Sequence, residues 1–277
     1  NSPTNGYFLS AQSGNTGGLT WAQVDTGVTS DGQNNTVAGT NAGDSFTGTD
    51  ANNNSLFGKD SGTAITTGDN NAGFGFDSLK GTTTGGKNTA FGTYGVSTNS
   101  TGSNNTGIGY GALFANTTAS NNTAVGSDAL IANTTGEQNV AVGTNALDAN
   151  TTAGYNTTIG YNGLTNNTTG GNNTALGYAS LQANTTASNN TAVGYYSLLQ
   201  NTTGTSNCAV GTNALMTITT ANNCTAVGKD ALKVNTAASN TAVGQGVLES
   251  NSTGLYNTAV GAASLVSNTD GNNNIAI

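Results

Sequence analysis

The chain has 277 residues, of which only 6% are charged, with 41 glycines and a formal charge of −8. Its basic residues are five lysines, Lys59, Lys80, Lys87, Lys229 and Lys233, too few for a surface that tracks nucleic-acid phosphates. The absence of histidine excludes Ser-His-Asp and Cys-His catalysis and histidine-based metal sites.

The first 34 residues stand apart. The stretch "NGYFLSAQSGNTGGLTWAQV", residues 5–24, carries Tyr7, Phe8, Leu9, Leu19, Trp21 and Val24. This small apolar set suits a β-hairpin cap or a junction to a shaft. No run of about 18 apolar residues is available to span a bilayer as a helix, and no charged start followed by an apolar stretch marks a signal peptide. The chain begins at Asn1 and stops inside a motif at Ile277, as expected of a piece of something longer.

From about residue 35 to 277 one phrase recurs. After a loose copy ending at Gly39, the motif glycine falls at Gly58, Gly75, Gly92 and onward to Gly228 in steps of 17. One step of 16 leads to Gly244, and Gly261 follows after 17 more. The consensus is N-T-A-V-G-x-x-[A/S]-L-x-x-N-T-T-G-x-x. "TAVG" is β-prone and alternating, whereas "NTTG" is turn chemistry. No apolar spacing of 3.6 is sustained, so helix is excluded. A fixed short period over this length predicts an all-β parallel β-solenoid, or β-roll, of 17-residue coils. Each coil is expected to hold about two short strands and to stack on the next at roughly 4.8 Å, giving a rod about 70 Å long.

Two apolar files are expected to form the core. One precedes the glycine and runs from Phe57, Phe74, Phe91 and Ile108 to Ile277; the other lies four residues beyond it and runs from Leu79 to Leu265. Two such side chains per coil contribute roughly 1.5–3 kcal/mol each on burial. Ordering each residue costs about 1–2 kcal/mol. A lone narrow coil is therefore thinly cored, and three coils sharing an axis would bury both files, which predicts a homotrimeric fibre.

Several features could carry recognition. Tyr110, Tyr161, Tyr178 and Tyr195 follow the glycine directly, and Tyr94 and Tyr196 lie one residue further on. Facing outward, they form an interrupted aromatic line able to stack on sugar rings; edge packing over the turn is the alternative. Asparagine files precede the strand (Asn122, Asn139) and occupy "NTT" (Asn133, Asn150); "NTT" matches the glycosylation sequon, but stacked turn-capping ladders account for both files better. The paired threonines of "NTT" raise ice binding, although neighbours in extended chain face opposite ways. Cys208 and Cys224 sit in adjacent columns of successive coils and are expected to stay free. Asp44, Asp50, Asp60 and Asp69 cluster early, matching no known calcium loop, and are read as solvated turns. No catalytic residue, metal or cofactor is expected.

"NNTAVGxxA" resembles the "NSVAIGxxS" motif of trimeric autotransporter adhesin heads, which are left-handed parallel β-rolls of three chains. The longer form "NTAVGYxALxxNTTGxxN" is similar to repeats in bacteriophage tail fibres, and residues 5–24 resemble segments of marine phage fibre proteins. The resemblance implies a structural protein of the virion tail fibre, spacing and attaching to a host surface. Its implied partners are two further copies of itself, a host glycan or protein, and other tail proteins; nucleic acid and membrane insertion are not among them. Alternatives are a trimeric adhesin on a bacterial cell surface, an ice-binding β-solenoid and, behind these, a carbohydrate-active enzyme.

Overall fold

The computed structural model describes residues 28–47 and 50–277, together with the backbone of two strands nearer the N-terminus. Those strands, β1 (Tyr7–Ser10) and β2 (Thr20–Gln23), pair antiparallel with Phe8 opposite Ala22. The packing expected of Leu19, Trp21 and Val24 lies outside the described residues.

All other strands join one sheet of 16. It opens with β3 (Thr29–Ser30) antiparallel to β4 (Thr36–Ala38) and continues parallel to β18 (Ile275–Ala276). Register is kept from coil to coil: Val140 pairs with Thr123, Ala141 with Ala124 and Val142 with Val125. The shortened step keeps it too, with Thr225 opposite Thr241, because the missing residue is absorbed in the turn between Asn235 and Asn240. Among the described residues there is no helix. The fold is a parallel β-solenoid of about 14 coils, which at about 4.8 Å per coil makes a rod of roughly 70 Å.

Each coil contains one three-residue strand, where two were expected. The remaining sides are turns, yet they are bonded upward just as the strands are. The Thr123 N–H donates to the Asn139 carbonyl (2.8 Å), Leu130 N–H to Ala146 (3.0 Å) and Thr134 N–H to Thr151 (2.9 Å). Stacking therefore satisfies backbone groups all around the perimeter, which a single coil could not do.

The corner glycine has a direct steric cause. Gly126 has φ +138°, and a Cβ there would lie 2.5 Å from the Gly143 carbonyl oxygen of the next coil. Beyond the corner the chain enters left-handed backbone twice, at Asp128 (φ 59°) and Leu130 (φ 52°). Such a conformation costs an L-residue about 1–3 kcal/mol, and complete burial of the leucine offsets it.

The core differs from expectation in one file. The leucine file is interior, with Leu79 through Leu248 fully buried and Leu265 partly so. The file before the glycine is not: none of its members from Phe57 to Ile277 is buried, and Phe91 is 58% exposed. Strand burial shows the middle residue facing in, so Ala124, Ala141 and Ala192 line the interior while the flanking threonine and valine face out. The interior is too narrow for two large files. Packing is compensated locally: Thr158 replaces the inward alanine, and its hydroxyl occupies space left by Gly163 in the same coil.

Candidate functional site

Two buried asparagine files share the interior with leucine and alanine. Asn133 and Asn150 are fully buried. The Asn150 amide donates to Asn133 Oδ1 (2.8 Å) and to the Ala153 carbonyl (3.0 Å). In the second file Asn122 donates to the Gly136 carbonyl (2.9 Å), while its Oδ1 accepts the Asn139 N–H (2.9 Å). Both amides are thus committed to neighbouring coils and the local turn, as the ladder reading required. In the folded rod the "NTT" sequon side chains are enclosed and offer no surface for a glycan.

The "NTT" ladder starts only at Asn99, above Ile65 and Thr82, and both ladders break in one later coil. Ile218 stands in one file and Cys224 in the other. Asn201 Oδ1 consequently finds no donor above it and is buried unpaired. Cys224 is buried, and its thiol donates to the Ala237 carbonyl (3.2 Å). Burial pushes that thiol above its ordinary range, outweighing bonds that stabilise the thiolate. Cys208 lies on the outward side of its strand, and both cysteines are free. The four early carboxylates do not converge; among the described residues no three acidic or cysteine side chains come close enough to hold a metal ion. Asp60 instead accepts from Asn41 (2.7 Å), and Asp69 accepts the Asn52 N–H (2.7 Å).

The outer side of the sheet is the first exposed surface of note. Threonine and valine files run side by side along it, the threonine file giving way to Ser55, Ala72, Val140, Cys208 and Ile275. Alternate residues of a strand are about 6.6 Å apart and successive coils about 4.8 Å. At its lower end the apolar file is aromatic, with Phe57 and Phe74 stacked at 5.0 Å and Phe74 to Phe91 at 5.6 Å.

The second surface lies around the corner, on the ridge formed by the first, second and fifth residues after each glycine. Here the structure divides the six predicted tyrosines into two groups. Tyr161, Tyr178 and Tyr195 stack along the rod with centroids 5.5 and 5.4 Å apart, each nearly half exposed, and Tyr196 leans against Tyr195 at 3.9 Å. Tyr94 and Tyr110 lie lower. Tyr94 meets Phe76, Tyr110 and Phe114 edge-to-face at 5.5–5.9 Å. A cleft of about 300 Å³ opens there between Tyr94, Tyr110, Gly111, Phe114 and Ile131.

Sequence reasoning missed Phe76 and Phe114. The signal was present: they occupy the first and fifth positions after their glycines, which the coil folds onto the ridge of the tyrosines. No protein-family model matches the chain, and no curated protein or solved structure matches it either.

Proposed function

We propose that this chain is the shaft of an extracellular fibre, a structural protein of a phage tail that spaces and attaches to a host surface. The observation that carries the reading is the outward apolar file from Phe57 to Ile277 on a rod whose coils are bonded around the whole perimeter. A continuous apolar stripe of this length on a water-facing sheet calls for a partner. Two further copies, each turning the same stripe toward a common axis, supply it without any new chemistry. The exposed tyrosines lie outside that stripe and would add weak contacts with a host glycan or protein through avidity. A bacterial surface adhesin of the same build would use the same surfaces.

Light scattering on the native rod tests this: the expected mass is three chains. Val142→Asp combined with Ile159→Asp and Val193→Asp reduces it to one, with an unchanged circular dichroism spectrum because all three side chains face outward. A wild-type chain that stays monomeric overturns the reading.

The same face favours a second reading, ice binding. A parallel sheet in strict register, presenting threonine hydroxyls beside valine methyls coil after coil, is a regular template for ordered water. This array lies on the strand, not on the "NTT" turn. A monomer that shows thermal hysteresis, lost on Thr174→Lys, would select this alternative.

A further inference from the structure

At three corners the residue two beyond the glycine is an asparagine that donates to its counterpart one coil above. Asn41 donates to Asp60 Oδ1 (2.7 Å), Asn213 to Asp230 Oδ1 (2.9 Å) and Asn145 to Asn162 Oδ1 (3.1 Å). Below Asp128 the corresponding residue is Gly111, so no amide fills that place. Asp128 Oδ1 instead points into the gap, 2.8 Å from where a Gly111 Cβ would be. Its other oxygen accepts, among the described residues, from the Ser127 hydroxyl (3.2 Å).

Gly111 and Ile131 also line the aromatic cleft, and the position of a Gly111 Cβ lies close to both Asp128 Oδ1 and the Ile131 side chain, so the open carboxylate oxygen sits at the edge of the cleft. Tyr110 is 56% exposed and Phe114 36%. Aromatic faces carry the negative end of the ring quadrupole. Asp148, in the next coil, is a second carboxyl, raised above the usual carboxylate range chiefly by burial, with Asp128 adding a smaller push. No lysine lines the cleft: Lys59 stands over the outer Phe76 ring (5.7 Å) and pairs with Asp60, Lys80 pairs with Asp77, and Lys229 and Lys233 pair with carboxylates farther along the rod. The site thus combines negative charge, ring faces and apolar walls, and it lacks a cation.

We propose that this cleft binds a trimethylammonium group of the choline class, with its methyls on Tyr94, Tyr110 and Phe114 and its charge opposite Asp128. A primary ammonium carries three N–H donors and needs several acceptors, whereas the cleft supplies one open carboxylate oxygen and apolar wall. A methylated ammonium needs charge and contact surface, which are what the cleft provides. The site belongs to a single chain and does not depend on the fibre reading.

Choline and tetramethylammonium are titrated into the full chain while the tyrosine ring signals are followed by NMR. Saturable shifts at Tyr94 and Tyr110 are expected, with none at Tyr161. The neutral carbon isostere of choline, in which C replaces N⁺, should give no saturable shift. Asp128→Asn weakens binding about tenfold. Gly111→Asn rebuilds the amide–carboxylate pair seen at Asn41 and Asp60 and abolishes binding. Asparagine already occupies left-handed backbone at this position in Asn145 (φ 55°) and Asn213 (φ 56°), so the variant should melt like wild type. Equal response to the neutral isostere, undiminished binding by folded Gly111→Asn, or no saturable shift with either cation overturns the proposal.

Discussion

Ala124 and Val125 are adjacent in the chain and lie on opposite sides of one wall: Ala124 is fully buried, and Val125 is partly exposed. The larger apolar side chain faces water because the interior opposite the strand is already filled by leucine and two asparagine files. The same arrangement recurs at Ala141 and Val142.

Ala141→Leu should therefore destabilise the rod by about 1–3 kcal/mol through overpacking. Val142→Thr, in dilute solution, should stay within about 0.5 kcal/mol of wild type, as surface changes do. Urea unfolding followed by circular dichroism checks both. A costlier Val142→Thr in a monomeric sample would place the core on the wrong side of the strand.

Asn150→Ala removes the amide that serves Asn133 Oδ1 and the Ala153 carbonyl, and the acceptor for Asn167 (3.1 Å). Each buried group left without a partner costs about 1–3 kcal/mol. The variant should unfold at distinctly lower denaturant than Thr152→Ala, a change at an exposed position of the same turn.

Burial raises the carboxyl of Asp148, overcoming the hydrogen bonds that favour its charge, and its buried Oδ1 has no partner among the described residues. With the folded value above the unfolded one, protonated Asp148 is the better tolerated form. Its contribution is intact below the unfolded value of about 3.9 and is lost as pH rises through the folded value. Asp148→Asn should thus raise the melting temperature at pH 7 and leave it nearly unchanged at pH 3.

The two thiols should separate by access. Cys208 faces outward, whereas Cys224 is enclosed and its thiol is held protonated by burial. A thiol reagent at neutral pH should label Cys208 in the native rod and reach Cys224 only in denaturant. Mass spectrometry of the digested protein reads the two sites directly, and equal labelling would contradict the buried placement.

The sequence by itself determined the period, the coil and the corner. A glycine every 17 residues was legible because no other residue tolerates that backbone with a carbonyl oxygen pressed against it, as at Gly126. The ladder role of Asn133 and Asn150 was legible for a similar reason, since identical turns stacked in register place identical amides within bonding distance. The tertiary structure alone decided which side of the strand is inside. Alternation offers two choices, and hydrophobicity favours valine inward; the volume left beside Leu130 and Asn133 admits only alanine. It alone also assembled the cleft, because Tyr94, Gly111, Phe114 and Asp128 become neighbours only when successive coils are superposed.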